Sequence, residues 1–403
     1  MSPWRLWAAV VAPFGLGYFM SYLLRAVNAV VVADLERDVG VTAEGLGLIT
    51  AAYLFGFGAF QLPLGVLLDR FGPRRVQACL LMVSALGSVL FAAGGSADML
   101  VGARLLIGLG FAGGLMASFK AVVLWAPPER VPLFNALVMV FGGFGVLAAT
   151  EPAHMAVAAW GWRAVFAGLG GAVALAASAI FLLAPREKPD MLSRGGFRAQ
   201  IAGIAHVYRD RTFWSLAPII AGTCGAHIAL QTLWAAPWLR DVGGLDPEQT
   251  ASTLFLMAAA FIAGILLAGA LGDWANRRGL PLMAVVEAIV AVFLASLLAI
   301  VLGLWPPATA FWAVFAMTGQ MTILSYAYLS AYFGSVLAGR ANTALNLLVF
   351  LGAFAIQYAI GGVLDFWEAK GGRYPEEAYR TAFGGLLALQ LLAWAWYRLS
   401  RPG

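Results

Sequence analysis

The feature that most constrains this chain is a succession of long apolar runs, of which the stretch from Leu282 to Leu304, with Glu287 as its one charge, is typical. A helix rises about 1.5 Å per residue and the hydrocarbon core of a bilayer is about 30 Å thick, so about 20 apolar residues suffice to cross it. In lipid every peptide group must find its partner within the protein, which leaves helices or closed barrels. A barrel would show short strands of alternating polarity. These runs show none, so they read as helices. Composition points the same way: 62% of residues are hydrophobic, 11% are charged and the mean hydropathy is +0.85, whereas a soluble domain carries roughly 25% charged residues.

Charged, Pro-rich or Gly-rich turns divide the chain into twelve segments. The first six lie near 7–32, 45–67, 76–95, 99–124, 132–158 and 164–184, and the second six near 213–238, 250–272, 281–304, 309–335, 342–365 and 378–398. The expected fold is an all-α membrane protein of 12 transmembrane helices in two pseudo-symmetric six-helix bundles, 1–185 and 213–403, joined by a linker over 186–212. The first segment begins within a few residues of Met1 and runs too far for the short apolar core of a signal peptide, so it reads as a span. Cys79 and Cys224 fall inside apolar segments and read as small buried hydrophobes.

A net charge of +5 and a pI of about 9.4 raise the question of an anionic partner such as nucleic acid. The placement of the basic residues excludes it, because they sit in short turns between apolar segments, where Lys and Arg favour the cytoplasmic face. With the amino terminus inside, sixteen Lys or Arg fall on the cytoplasmic side, including Arg70, Arg74, Arg75, Arg277, Arg278 and the linker's Arg186, Lys188, Arg194, Arg198, Arg209 and Arg211. Six fall outside: Arg37, Arg163, Arg240, Lys370, Arg373 and Arg380. Both termini are therefore expected in the cytoplasm, in a bacterial-type inner membrane.

The strongest internal signal is a repeated turn. After segment two the chain reads Gly65-Val-Leu-Leu-Asp69-Arg70-Phe-Gly72-Pro-Arg74-Arg75, and after segment eight Gly269-Ala-Leu-Gly-Asp273-Trp-Ala-Asn-Arg277-Arg278. Asp273 follows Asp69 by 204 residues, about half the chain, as expected if two six-helix units arose from one. On segment four, Arg104-Leu-Leu-Ile-Gly108-Leu-Gly110 has an Arg-x-x-x-Gly-x-Gly spacing, and Gly161-Trp162-Arg163 lies between segments five and six.

On these motifs the chain resembles the major facilitator superfamily over essentially its full length. The second loop departs from the family pattern by lacking the Gly before its arginines. The resemblance implies a secondary transporter working by alternating access, with helices 1, 4, 7 and 10 lining a central cavity. It also implies a gating role for Asp69, Arg70, Arg74, Arg75 and Asp273. The competing reading of that loop is a purely topological, positive-inside signal. Read from the residues, Asp69 at a helix end can cap N–H groups and pair with arginine. Gly108-Leu-Gly110-Phe-Ala-Gly113 also matches a dinucleotide-binding pattern, but no strand precedes it. Gly108 and Gly110 read instead as structural residues that let helices approach closely, with Arg104 beside them.

Ionisable residues inside spans are the informative ones, because Arg or Lys near the bilayer centre costs about 2.5 to 3.5 kcal/mol on insertion scales. Segment one carries Tyr18, Ser21, Tyr22, Arg25 and Asn28 on one polar stripe. Arg25 offers a planar fork of donors suited to carboxylate or phosphate, the alternative being a structural ion pair. Segment seven carries Thr223, His227, Gln231 and Trp234 on one stripe. His227 reads either as a substrate or proton-relay group or as a satisfied core histidine. Segment ten offers Thr318, Thr322, Ser325 and Tyr326, and segment eleven Asn346 and Gln357. On a continuous helix Arg104 and Lys120 lie about 160° apart. Arg104 is expected to pair with Glu151, while Lys120 either faces the cavity or snorkels to the interface. Glu151 and His227 are the proton-coupling candidates, and Glu287, near a span end, reads as structural.

Substrate-binding candidates are therefore Tyr22, Arg25, Asn28, Lys120, His227, Gln231, Trp234, Thr322, Tyr326, Asn346 and Gln357. The cations Arg25, Arg104 and Lys120 outnumber the deep carboxylate Glu151, which points to a small organic anion carried with protons by a monomer, without cofactor or metal. The rival is proton-antiport efflux of amphipathic drugs, favoured by Tyr22, Trp234 and Tyr326. Against it, segment five has Gly142, Gly143, Gly145 and Glu151-Pro152 in place of the Gly-Pro signature of such antiporters. Two minor readings are copper uptake through Cys224, His227, Met317 and Met321 and a non-transporting membrane sensor. Nothing supports an enzyme: no zinc-type His spacing and no nucleophile elbow occurs. If the orientation is right, a cysteine introduced at Ser193 in the linker reacts with an impermeant reagent only from the cytoplasmic side; labelling from outside in intact cells reverses it.

Overall fold

The computed structural model describes residues 3–127, 131–187, 202, 205–304, 308–322, 324–369 and 371–400. Most of the expected linker, Ser193 included, lies outside the described residues. A short helix, Pro3–Leu6, and a π-helical turn, Trp7–Val11, lead into α1 (Ala12–Ala26), followed by α2 (Asn28–Val39), α3 (Ala43–Ala59), α4 (Gln61–Ala93), α5 (Ala97–Phe111), α6 (Gly114–Trp125), α7 (Val131–Ala148) and α8 (Glu151–Leu183). Then come α9 (Arg211–Ala229), a second π-helical turn (Leu230–Trp234), α10 (Ala235–Asp241), α11 (Pro247–Arg277), α12 (Leu282–Val301), α13 (Ala308–Met321), α14 (Leu324–Leu364) and α15 (Glu376–Ser400). Among the described residues eight helices are long and apolar enough to cross a membrane, and α3 and residues 137–148 are shorter apolar helices.

The chain resolves into two compact units, Met1–Val39 with Ala52–Ile201 and Gly40–Ala51 with Ala202–Gly403. In the first, α1 packs on α7 and α8, and α4 packs on α8. In the second, α9 packs on α14 and α15, and α12 packs on α15. Counted along each half, these are the same pairings of first with fifth, first with sixth and third with sixth segments. The repeat seen in the two loops thus extends to how helices choose neighbours. Large apolar side chains stay uncovered on outer faces, such as Leu86 on α4 and Leu175 and Leu182 on α8, because hydrocarbon, not water, is their solvent. Cys79 belongs to this surface: it is exposed, not buried, since facing lipid costs a thiol little.

Turns fall where the backbone demands them. Gly72 adopts φ +79° and Pro73 follows, which breaks α4 between the second and third segments. Gly161 adopts φ +76° inside α8, so residues 151–160 complete segment five and Trp162 opens segment six. The Trp162 indole N–H donates to Asp38 at 2.9 Å and Arg163 donates to the Gly94 carbonyl at 3.0 Å, tying that turn to the ends of α2 and α4. Hydrogen bonds from Arg37 and then Trp162 hold the Asp38 carboxyl below the usual range.

Several segments expected to be continuous are not. Segment one is interrupted by a turn at Val27 and segment four by one at Ala112–Gly113, these residues keeping helical φ/ψ, and segment ten is interrupted at Thr322, where α13 ends after Met321. The turn at Ala112–Gly113 lies between Arg104 on α5 and Lys120 on α6. The π-helical turn at Leu230–Trp234 adds a residue to the register that placed Gln231 and Trp234 on the His227 stripe. The turn expected over 336–341 falls inside α14, and the hydrogen bond between Tyr326 and Asn346, 20 residues apart, requires the chain to fold back between them. The apolar span of α14 is Arg340–Leu364.

Small residues set the closest approaches. A Cβ on Gly108 would overlap the carbonyl oxygen of Tyr53, and one on Gly110 would meet Leu80 and Ser84 at 2.5 Å. Gly108→Ala is expected to lower thermal stability by about 1 to 3 kcal/mol, as overpacking does. Gly102→Ala, at a position with nothing within 4 Å, is expected to leave the melting temperature unchanged in the same assay.

Candidate functional site

In the first unit the polar stripe of α1 ends on Arg25, in the helix's last turn and only 8% exposed. Its guanidinium lies 4.6 Å from the ring centre of Tyr22, 4.9 Å from Phe57 and 5.8 Å from Tyr53. Each such contact contributes about 0.5 to 2 kcal/mol when desolvated, so three together match the insertion cost of the charge. Tyr18 donates to Tyr22 at 3.3 Å, and Tyr53 donates to the Ser21 carbonyl at 3.1 Å. Gly142 on α7 makes room for this cluster, since a Cβ there would sit 2.6 Å from the Tyr18 ring. Tyr53 and Phe57 were not among the sequence candidates. Their i,i+4 spacing on one face of α3 was the available signal, but nothing in the sequence ties that face to Arg25.

Arg104 on α5 is fully buried and departs from its expected place beside Glu151. Its Nη1 donates to the Leu24 carbonyl at 2.7 Å, and its guanidinium lies 5.0 Å from the ring centre of Tyr53 and 5.9 Å from that of Phe91. The physical reason is the break at Val27, since the last turn of a helix leaves carbonyls without intrahelical donors. Glu151 heads α8, and its Oε2 is buried without a hydrogen-bond partner among the described residues. Asn28, just past the break, is buried, and Lys120 on α6 is half-buried.

In the second unit His227 on α9 is 2% exposed, stacked 5.7 Å from Phe261 at 5° and 5.9 Å from Phe315. It lies against Gly319, where a Cβ would meet its ring at 2.6 Å, and neither ring nitrogen has a hydrogen-bond partner among the described residues. One turn away, Cys224 and Thr322 share a hydrogen bond at 3.0 Å, and Thr322 donates to the Gly319 carbonyl at 2.6 Å. Met317 and Met321 line a groove on the other side of α13, so the four soft candidates do not converge. Trp234 donates to the Gln357 carbonyl at 3.1 Å and Tyr326 to Asn346 at 3.2 Å. The side chains of Gln231, at Nε2, and Gln357, at both amide atoms, have buried polar atoms without partners among the described residues.

The first loop is built around Arg74. Its Nε and Nη2 donate to the Phe181 carbonyl at 2.8 and 2.5 Å, its guanidinium lies 4.4 Å from the Phe181 ring centre, and its backbone N–H donates to Glu187 at 2.8 Å. Glu187, not among the sequence candidates, thus caps the helix that restarts after Pro73. The side chains of Asp69 and Asp273 lie outside the described residues. Arg70 lies 5.3 Å from the Phe71 ring centre, and Arg75 is exposed. Glu287 accepts from Trp394 at 3.2 Å and pairs with Arg398, pinning α12 to α15.

A helical membrane protein of two like-packed halves, each holding buried ionisable and amide side chains, has the architecture of a secondary transporter. The family model of the Major Facilitator Superfamily matches residues 14–357, and the chain belongs to that superfamily, whose members are transporters and not enzymes. It is 29% identical over 278 residues to "Probable sulfoacetate transporter SauU" of Cupriavidus necator, covering 65% of this chain and 64% of that protein. It is 27% identical over 297 residues to a chloramphenicol resistance protein of Streptomyces lividans, covering 72% and 71%. Among solved structures, an inward-facing, unoccupied bacterial homologue of the human lysosomal transporter Spinster superposes with a TM-score of 0.78 at 17% identity, covering 99% of this chain and 97% of that one, a likeness of fold.

Removing the Glu187 cap tests the loop. Glu187→Ala is expected to lower stability by about 1 kcal/mol, as lost helix caps do, measured by thermal unfolding of purified protein. Glu187→Gln, which keeps an acceptor oxygen, is expected to lose less.

Proposed function

We propose that this transporter carries a small organic anion across the bacterial inner membrane by alternating access, with Arg25 holding the anionic group. The observation that supports this reading is the aromatic enclosure of Arg25, which holds a permanently charged donor fork, buried, at the end of the polar stripe of α1. Arg104 donates to the Leu24 carbonyl, whereas Arg25 shares the polar stripe of α1 with Tyr18, Ser21 and Tyr22. The similarity to a protein named for sulfoacetate, a small carboxylate and sulfonate, supports an anion. Tyr22, Asn28 and Lys120 are proposed to contact it in the first unit, and His227, Gln231, Trp234, Thr322, Tyr326, Asn346 and Gln357 in the second.

Protons are the proposed coupling ion. Glu151 and His227 each hold a buried titratable atom with no hydrogen bond of its own among the described residues, which suits groups that gain and lose a proton during the cycle. Asp69, Arg70, Arg74, Arg75 and Asp273 are proposed to gate it, with both termini cytoplasmic and the protein a monomer. A second reading, efflux of amphipathic compounds, is supported by the similarity to a chloramphenicol resistance protein and by the aromatic side chains around Arg25.

The test is solute uptake into proteoliposomes with and without a pH gradient, alongside binding to purified protein. Arg25→Ala is expected to abolish anion binding, and Arg25→Lys, which keeps the charge but loses the fork, to weaken it by roughly 1 to 3 kcal/mol, both with near wild-type melting. Glu151→Gln is expected to retain binding while losing the response to the pH gradient. Wild-type binding by Arg25→Ala refutes the anion site and favours the efflux reading.

A further inference from the structure

On the second unit a groove of about 550 Å³ runs between α11, α12 and α13. Leu267, Leu271 and Trp274 line it from one face of α11, Ala288 and Val292 from α12, and Met321 from α13. From Ala284 to Val292 the α12 wall alone is about 12 Å long. Leu267 and Val292 remain 45% and 48% exposed, so the trough opens sideways within the apolar spans Pro247–Gly272 and Leu282–Val301. A sideways opening at that depth meets hydrocarbon.

The two ends of the trough differ. Trp274 and Leu280, at one end, lie past the apolar span, and there the Arg278 guanidinium sits 5.5 Å from the Trp274 ring centre with Arg277 beside it, both arginines exposed. Tryptophan prefers the headgroup level of a bilayer, and guanidinium forks match phosphate oxygens. An apolar trough leading to a tryptophan and two cations has the polarity profile of one phospholipid molecule. We propose that this groove binds an anionic phospholipid, one acyl chain lying along α11 and α12 and the headgroup phosphate on Arg277 and Arg278.

The occupant would also back the functional helix. Met317 and Met321 form the floor of the groove, while Gly319, between them on the opposite face of α13, carries His227, and Thr322 holds Cys224. A chain filling the groove therefore steadies the wall behind His227.

The test is native mass spectrometry of the purified full-length protein, titrated with phosphatidylglycerol and with phosphatidylcholine of identical acyl chains. Wild type is expected to retain phosphatidylglycerol about thirtyfold better, as two basic residues near a headgroup would give. Arg277→Gln with Arg278→Gln is expected to bring both lipids to the phosphatidylcholine level. Ala288→Phe, which fills the trough from an exposed position of α12, is expected to reduce retention of both. Equal retention of the two lipids by wild type, an undiminished preference in the double arginine variant, or unchanged retention by Ala288→Phe overturns the proposal in favour of non-specific annular lipid.

Discussion

A peptide carbonyl released inside a bilayer has no water to accept from, and this structure is organised around meeting that requirement wherever a helix breaks. At Val27 the freed Leu24 carbonyl receives Arg104. At Ala112–Gly113 the Ala112 carbonyl receives the Gln61 side chain at 3.1 Å. Around Thr322 the helix's own hydroxyls turn back, Thr322 to Gly319 and Ser325 to Thr322. Each break is held by a buried polar side chain, and most of the candidate substrate residues lie within a turn or two of one. The breaks, which sequence periodicity smooths over, are what give the bundles their polar interior.

The same logic separates the intramembrane charges into different kinds. Arg104 has a backbone partner and acts as a staple. Glu287 and Arg398 neutralise each other between α12 and α15. Arg25 is surrounded by ring faces, which lower the cost of the cation. Glu151 and His227 hold buried polar atoms without hydrogen-bond partners among the described residues. Composition counts all of these alike, whereas their surroundings divide them into structural and chemical groups.

Close packing supplies the rigidity that these arrangements need. Between helices in lipid there is no hydrophobic driving force, so small residues and van der Waals contact take its place. Gly108 and Gly110 bring α5 against α3 and α4, Gly142 admits the Tyr18 and Tyr22 rings, and Gly319 seats His227. The Arg-x-x-x-Gly-x-Gly pattern was visible in the sequence as a spacing. That Gly108 faces the Tyr53 backbone, beside one of the rings around Arg25, required the fold.

The sequence by itself determined that the chain is helical, lies in a membrane and is internally repeated, because hydropathy over about 20 residues and a loop recurring at half the chain length are one-dimensional signals; its place among transporters came from the resemblance of its motifs to a known superfamily. It also singled out Arg25 and His227, since a charge or imidazole in an apolar run stands out on cost alone. Only the tertiary structure decided that Arg104 serves Leu24 and not Glu151, that Glu187 takes the capping role in the first loop, and that Tyr53 and Phe57 enclose Arg25. Those outcomes depend on where helices break and which faces then meet. A single broken turn shifts the phase of every residue beyond it, and the partner that satisfies a freed carbonyl comes from a segment tens of residues away.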